Sequence, residues 1–156
     1  MGKQPFDSRT QFEALLLDCF SRARLTLRMF DPDYAWWKLG HSQTDAVLRR
    51  FLPGGGRLQL VAHSSAQLQR DAPRFLTLLQ DYSHRIECRV TSKSLKQLTD
   101  SFAVADEIHI VRRFHSDHFR GEANFDDPSS TQTSLERFEG IWAETMPGLQ
   151  ADTTGL

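Results

Sequence analysis

The sequence predicts a single α/β domain in which helices cover both faces of a mostly parallel sheet that carries an antiparallel extension. Three observations lead to this prediction. Helical and strand patterns alternate along the N-terminal part of the chain, two later strand patterns meet at one tight turn, and no linker-like interval or internal repeat divides the chain. We therefore expect residues 6–146 to form one domain, with residues 1–5 and 148–156 as disordered tails.

The composition is that of an ordinary globular protein. Of the 156 residues, 39% are hydrophobic and 25% are charged, and 19 basic and 20 acidic residues leave a net charge of −1. No bulk field gathers polyanions, so nucleic acid is not expected as a partner. Because no secretory signal and no stretch of ~20 apolar residues is present, we expect a cytoplasmic protein without a membrane partner. Cys19 and Cys88 lie in apolar patterns, which predicts buried thiols without a disulfide.

Apolar residues that recur at two different spacings predict the first helix and the first strand. Apolar residues recur at helical spacing over residues 12–23, and Thr10 with Glu13 three positions later has the pattern of a capping box. Residues 24–30 then alternate between apolar and polar side chains, as the two faces of a strand do. A turn at residues 31–33 follows.

The middle of the chain continues the alternation of helices and strands. Each helix is predicted from an apolar stripe, and each strand from a short apolar run between turn residues. The elements are a helix from Ser42 that glycines 54–56 end, a strand over 58–62, a helix from about Asp71 to Tyr82, and a strand over 86–90.

Two further strand patterns are predicted to form a hairpin. They cover residues 102–104 and 108–111, and Asp106-Glu107 between them are typical turn residues. An edge strand is expected around residues 122–125. The last helix begins near Pro128 and places Leu135, Phe138, Ile141 and Trp142 on one buried face.

This order of elements resembles one repeat of the phospholipase D-like family over residues 12–145. In that family an H-x-K-x-x-x-x-D signature supplies a nucleophilic histidine, a phosphate-binding lysine and an aspartate, and a G-S-x-N segment follows. When the aspartate is placed on Asp106, Thr99 stands at the histidine position and Ser101 at the lysine position. Arg112 and Arg113 stand where G-S-x-N would fall.

The resemblance implies the fold of a single, degenerate phospholipase D-like repeat of bacterial type. Neither Thr99 nor Ser101 can act as an imidazole nucleophile or as a cation toward phosphate, so the phosphodiesterase signature is absent. Single-repeat members of the family pair their signatures by dimerising. A homodimer is therefore left open.

The candidate ligand-binding residues follow the strands of the predicted sheet. In such sheets, ligands bind beyond the carboxyl ends of parallel strands, where aromatic side chains line pockets. The candidates are Asp31, Asp33, Tyr34, Trp36, Trp37, His63 and Asp106. In the alternative interpretation, the aromatic residues pack in the core and the aspartates form turns.

A second group of candidates lies beyond the hairpin. His115, Asp117 and His118, with His109 nearby in sequence, carry the imidazole and carboxylate groups that bind zinc and related metals. The alternative is a solvated polar loop. Arg112, Arg113 and Arg120 in the same region could contact phosphate, or they could be exposed charges that keep a strand edge from aggregating.

The sequence therefore favours a non-catalytic binding or interaction module with no cofactor and with an unknown small molecule or protein as its partner. The alternative is a hydrolase with a rearranged or metal-assisted site at His115, Asp117 and His118.

Overall fold

The secondary structure alternates as predicted and includes additional short strands at both ends of the chain. The structure, a computed structural model, describes residues 2–151. Its elements are β1 (Gln4–Phe6), α1 (Arg9–Arg22), β2 (Thr26–Phe30), α2 (Ser42–Phe51), β3 (Arg57–Ala62), α3 (Ala66–Asp71), α4 (Pro73–Asp81), β4 (Ile86–Thr91), β5 (Ser101–Ala105), β6 (His109–Arg113), β7 (Gly121–Asn124), α5 (Gln132–Trp142) and β8 (Thr145–Pro147). Short 3-10 helices cover Lys93–Leu95 and Pro128–Thr131.

All eight of these strands form one sheet in the order β1-β7-β6-β5-β2-β3-β4-β8. The three central strands β2, β3 and β4 are parallel, because helices connect them, and every other pairing is antiparallel. The predicted α/β class with helices on both faces is confirmed. The antiparallel part is larger than predicted, since it flanks the parallel strands on both sides.

The two faces of the sheet bury separate apolar layers. Side chains alternate along β2, so that Leu27 and Met29 face α1–α4 and Phe30 faces α5. Helices α1 to α4 form the larger layer. The smaller layer contains Leu135, Phe138 and Ile141 of α5. The predicted inner face of the last helix is thus confirmed for these three residues, whereas Trp142 is only partly buried.

The predicted hairpin turn lies where the sequence places it. Asp106 and Glu107 have φ angles of 55° and 63°, and the Ile108 amide donates to the Ala105 carbonyl at 3.1 Å. Two successive residues with positive φ are characteristic of the type I′ turn, whose twist matches that of the strands it joins.

The segments predicted as disordered tails are partly ordered. Gln4–Phe6 pairs with β7 as β1, and Leu149 after β8 is buried, with 4% of its surface exposed. Residues 1 and 152–156 lie outside the described residues. Pro5 and Pro147 stand on the two outermost strands, where the missing proline N–H removes a donor that another strand could pair with.

Two helices begin at positions other than those predicted. Ser8, not Thr10, caps α1, because its hydroxyl accepts from the Gln11 amide at 3.2 Å. The helix predicted from about Asp71 to Tyr82 corresponds to α4, which begins at Pro73 because proline fits the first turn of a helix, and the short helix α3 before it was not predicted.

Both cysteines are free and buried, as predicted. Burial raises the pKa of Cys19 well above its ordinary value, and burial raises the pKa of Cys88 to about 12. Both thiols are therefore protonated and unreactive at neutral pH. In the part of the chain that the structure describes, no helix is long and apolar enough to cross a membrane.

Candidate functional site

Five polar side chains, among them the predicted candidates Asp31 and His63, lie at one end of the sheet, which we call the carboxyl end. It comprises Asp31 after β2, His63 after β3, Thr91 at the end of β4, Ser101 at the start of β5 and Arg113 at the end of β6. Parallel strands bring the first three residues to this end, and the antiparallel hairpin of β5 and β6 returns the other two to it.

A buried ion pair occupies the centre of the carboxyl end. Arg113 Nη2 lies 2.8 Å from Asp31 Oδ1, and each side chain is 1% exposed. The remaining nitrogens of Arg113 donate to Ser101 Oγ at 3.1 Å and to the Ser116 carbonyl at 3.1 Å. Asp31 Oδ2 accepts from the amides of Asp33 and Tyr34. Every nitrogen of this guanidinium and both carboxylate oxygens therefore have a partner within the chain.

Aromatic rings enclose this ion pair on the side of α1. The Arg113 guanidinium carbon lies 4.8 Å from the centre of the Phe12 ring and 5.5 Å from that of Phe119. Such rings both exclude water and attract a cation. Tyr34 is buried beside the pair and donates its hydroxyl to the Val61 carbonyl at 2.8 Å. Burial, and then the charge of Asp31, raise the pKa of this phenol, so Tyr34 stays neutral.

Of the two residues aligned with the missing signature groups, Ser101 contacts this ion pair and Thr99 is linked to it through Ser116. Ser101 accepts the hydrogen bond from Arg113 Nε, and the Thr99 carbonyl accepts from the Ser116 amide at 2.9 Å. The positions at which the family carries a histidine and a lysine are thus part of an internal hydrogen-bond network. An entering phosphate would have to break that network.

His63 is also held by internal bonds. Its Nδ1 lies 2.7 Å from Thr91 Oγ1, and its Nε2 lies 2.7 Å from the Leu98 carbonyl. A carbonyl can only accept, so Nε2 carries a proton, and in the neutral imidazole Nδ1 accepts from the threonine. Neither ring nitrogen is free to bind a metal or to act as a base without giving up a bond.

Asp106 lies at the opposite end of the sheet from the other candidates. It contacts the residues before β2, whereas Asp31 follows β2, and the five residues of that strand span roughly 17 Å. The Asp106 carboxylate accepts from the amides of Arg24, Leu25 and Thr26 at 2.7–3.1 Å. The aspartate of the supposed signature therefore fixes the connection between α1 and β2.

The aromatic loop after β2 does not form one pocket with the carboxyl end. Trp37 is 2% exposed and packs against Phe20 and Tyr34, so the alternative of core packing applies to Tyr34 and Trp37. Trp36 is 40% exposed, and the Arg9 guanidinium lies 4.5 Å from its ring centre. Asp33 is exposed and accepts from the Ala35 amide within its own turn.

The structure does not bring the predicted metal ligands together. His115 and His118 stack on each other at 5.7 Å, but His109 lies at the far end of β6, buried against Phe125. Asp117 is exposed, with its carboxylate 3.6 Å from His115 Nδ1. Within residues 2–151 no three His, Cys, Asp or Glu side chains are placed to hold a metal ion.

Sequence reasoning missed the central residue of the carboxyl end. The run of basic residues predicts that Arg113 either contacts phosphate or is an exposed charge, but Arg113 is 3% exposed and pairs with a residue 82 positions earlier. Sequence reasoning also missed a second feature, a cleft where the three parallel strands begin, which Arg57 and Arg85 line. The one available signal for Arg113 was its place in the alternation of β6, on the same face as Val111.

Solved structures with the same architecture are available at low sequence identity. TrmBL2, described as an archaeal chromatin protein with a novel mode of DNA binding, superposes with a TM-score of 0.70 and 10% identity over 94% of this chain and 54% of TrmBL2. The phospholipase D family member Nuc from Salmonella typhimurium gives 0.69 and 14% identity over 94% and 97% of the two chains. NucT from Helicobacter pylori gives 0.66 and 9% over 94% and 98%.

These comparisons establish the fold of the chain. The chain has the phospholipase D-like fold, and it spans about half the length of TrmBL2 but nearly all of Nuc and NucT. A search of curated proteins finds no match. Residues 8–151 match the profile of a family described as a domain of unknown function, DUF7931, so the chain belongs to that family.

Proposed function

We propose that this member of the DUF7931 family is a non-catalytic binding or interaction module built on a phospholipase D-like scaffold. The observation that carries the proposal is the buried Arg113–Asp31 ion pair at the carboxyl end. A catalytic site needs groups that are free to meet the substrate, and here the cation, the carboxylate and the aligned Ser101 are bonded to one another.

Several observations support this proposal over hydrolysis by phospho-histidine. The alignment leaves no histidine at the nucleophile position, and His63 at this end uses both ring nitrogens in internal bonds. The aligned aspartate, Asp106, serves the turn at the other end of the sheet. The metal-assisted alternative lacks a third ligand beside His115 and His118 within the described residues.

Hydrolysis of a generic phosphodiester, bis-p-nitrophenyl phosphate, tests the proposal. Protein purified over two unrelated columns should hydrolyse it at the buffer rate between about pH 5 and about pH 9, with or without divalent metal. Turnover that disappears in a His115→Ala and His118→Ala double variant would instead establish the metal-assisted hydrolase. Turnover lost only in Asp106→Asn would show that the alignment of the signature was wrong.

A homodimer remains a prediction, and Trp36 is the side chain that we propose for its contact. Exposed aromatic residues beside arginines are enriched at the centres of protein interfaces, and Trp36 with Arg9 forms such a pair. Sedimentation velocity over a hundredfold range of concentration should show association that Trp36→Ala weakens. A sedimentation coefficient that stays at the value of the 17.9 kDa monomer over the whole range would exclude the homodimer.

Nucleic acid is not proposed as the partner, although TrmBL2 is described as binding DNA. The net charge is −1, and carboxylates pair with many of the surface arginines, such as Arg112 with Glu122 and Arg49 with Asp45 and Asp81. Anisotropy of labelled duplex and single-stranded DNA should show no saturable binding at physiological salt. Saturable binding that weakens with added salt would replace the proposed partner with nucleic acid.

A further inference from the structure

A cleft lies at the end of the sheet opposite the carboxyl end, where the three parallel strands begin. Its volume is about 390 Å³. None of its lining residues belongs to the network around Arg113, so the cleft is a separate feature of the molecule. The three strands and the residue before β4 contribute six polar side chains to the lining, which are Thr26, Arg28, Arg57, Gln59, Arg85 and Glu87.

The floor of the cleft is the part of the sheet face that α5 leaves uncovered. Helix α5 packs with Phe30 and Val61 at the carboxyl end of this face. Toward the other end the same face is polar, since Arg28, Gln59 and Glu87 lie side by side in the register of β2, β3 and β4. Central parallel strands normally bury apolar side chains on both faces. Polar residues at these positions therefore indicate contact with water or with a polar ligand.

Two arginines of the cleft have no carboxylate partner. Arg57 and Arg85 directly precede Leu58 and Ile86, which are paired in the register of β3 and β4, so the two cations are neighbours across adjacent strands. Within residues 2–151 neither guanidinium forms an ion pair, and Arg57 donates to the His84 carbonyl over a long 3.4 Å. Like charges at neighbouring positions of a sheet are destabilising, so this pair of cations favours a bound anion.

The other charges at the cleft are already paired. Arg28 Nη1 lies 3.0 Å from Glu107 Oε2, and Arg89 Nη2 lies 2.7 Å from Glu87 Oε2. These two pairs are neutral, so the two unpaired arginines leave an excess of two positive charges. The lining alone gives the same excess, because it contains three arginines and one glutamate.

Neutral side chains of the cleft supply further hydrogen-bond donors. The Gln59 carbonyl oxygen accepts from Arg28 Nε at 3.2 Å, which leaves the amide nitrogen of Gln59 as a donor. The hydroxyl of Thr26 can also donate. A ligand that fits this cleft therefore carries negative charge and accepts several hydrogen bonds.

We propose that this cleft binds a small phosphate monoester. Such a group carries close to two negative charges at neutral pH, which match the two unpaired arginines, and its oxygens accept paired hydrogen bonds from guanidinium groups. At the ~30 Å³ that a water molecule occupies in the liquid, the volume accommodates roughly thirteen non-hydrogen atoms, about the size of ribose 5-phosphate. The inference goes beyond the proposed non-catalytic role, because the cleft shares no residue with the carboxyl end.

Titration of the full chain with ribose 5-phosphate tests the proposal. In ¹H–¹⁵N spectra at physiological salt, the side-chain Nε–H resonances of Arg57 and Arg85 should shift and saturate at millimolar ligand. Ribose, which has the same sugar without the phosphate, should cause no saturable shift, because the charged hydrogen bonds are missing. Saturable binding of ribose with a similar affinity would overturn the assignment.

Two pairs of ligands define the chemical class further. Methyl phosphate, a dianion, should bind at least about tenfold more tightly than dimethyl phosphate, a monoanion, because only the dianion matches both unpaired arginines. Equal binding would overturn the assignment to monoesters. Ribose 5-phosphate should bind more tightly than a phosphoserine pentapeptide, which exceeds the volume of the cleft. The reverse order would overturn the assignment to a small molecule.

Two double variants separate the cleft from the general charge at this end of the sheet. Arg57→Gln with Arg85→Gln removes the excess charge of the cleft and should weaken the binding of ribose 5-phosphate at least about tenfold. Arg24→Gln with Arg50→Gln removes the same charge from exposed arginines that do not line the cleft, and should leave binding unchanged. Equal losses in both double variants would overturn the proposal.

The stability of the first double variant gives an independent readout. Because the two arginines repel each other without a carboxylate between them, this variant should unfold at the same urea concentration as the parent protein or at a higher one. A lower midpoint would show that the arginines stabilise the fold and would overturn their assignment to a ligand. None of these measurements depends on phosphodiester hydrolysis, so failure here and failure of the proposed non-catalytic role are distinguishable.

Discussion

The carboxyl end of the sheet and the cleft at the other end of the parallel strands are opposites in how their charged groups are satisfied. At the carboxyl end, Arg113, Asp31 and Ser101 are bonded to one another. In the cleft, Arg57 and Arg85 lie on neighbouring strands and have no carboxylate partner in the described chain. The family resemblance draws attention to the first region, but unpaired cations distinguish the second.

This difference shows why position in a fold is weak evidence for a binding site. A charged group contributes to binding only through hydrogen bonds that it does not already make, because displacing an internal partner cancels most of the gain. The carboxyl end stands where related folds carry catalytic groups, yet its polar atoms are satisfied. Four changes to the chain would break or sharpen this contrast.

The largest loss of stability is expected from Asp31→Ala. Removing one partner leaves the Arg113 cation buried at 1% side-chain exposure, which should cost about 3–5 kcal/mol in the free energy of unfolding. Urea denaturation measures it. The double variant Asp31→Leu and Arg113→Met removes both charges and should lose less than the single variant. A single-variant loss below about 1 kcal/mol would mean that the pair is hydrated and open.

Trp37→Ala should cost about 3 kcal/mol, because it removes a large buried ring that packs against Phe12, Phe20 and Tyr34. Trp36→Ala, at 40% exposure, should cost less than about 1 kcal/mol. Thermal or urea unfolding of the two variants gives the comparison. Similar costs at both positions would place Trp36 in the core as well and remove it as an interface residue.

Asp106→Ala should cost about 2 kcal/mol, because three backbone amides before β2 lose their charged acceptor and a non-glycine residue must still adopt positive φ. Asp106→Asn keeps one acceptor oxygen and a side chain that tolerates this conformation, so it should cost less. The midpoints of urea unfolding of the two variants and of the parent protein measure these costs. A variant that unfolds like the parent protein would exclude a structural role for Asp106.

The smallest effect is a dependence on pH through His109. Burial lowers its pKa below the ordinary value, although the charge of Asp126 opposes this, and Nδ1 accepts from the Asp126 amide at 3.0 Å. The unfolded chain therefore binds the proton more readily, so this contribution to stability is complete above the unfolded pKa of about 6.5 and declines as pH falls below it.

Melting temperatures between about pH 7.5 and about pH 5 measure the effect of His109. The parent protein should lose more stability over this range than His109→Gln, whose amide can still accept the bond without titrating. His115→Gln is the matched control, because His115 is partly exposed at the other end of β6. If the two variants respond alike to pH, His109 is not the titrating group.

Local features of the fold could be predicted from the sequence, and pairings between distant residues could not. The turn at Asp106 and Glu107 follows from a polar pair between two apolar strand patterns, in which the aspartate tolerates positive φ, and the stripe of α5 follows from its period. Strands β1 and β8 were missed because three residues are too few to show alternation and each contains a proline. Gln4 and Pro5 of β1 belong to the segment predicted as a disordered tail, so the short strand there was missed for the same reason.

The candidate site was less predictable than the fold. Asp31 and Arg113 meet because β5 and β6 lie beside β2 in the sheet. Nothing in the sequence around either residue reveals this order of strands. The uncapped start of α2 was equally hidden. The sequence pattern predicts a helix that begins at Ser42, but the absence of a cap depends on the side chain of His41, which only the structure shows.

The ion pair also constrains the order in which the chain can fold. Strands β2, β3 and β4 are nearer to one another along the chain and can associate early, but Asp31 acquires its cation only when β6 has joined the sheet through β5, 82 residues later. Until then the Asp31 carboxylate has only the local amides of Asp33 and Tyr34 as partners and no cation. Strand β6 therefore supplies the cation that the carboxylate after β2 needs. A chain interrupted before β6 would expose the charge of Asp31 and the unpaired edge of β2 to other chains.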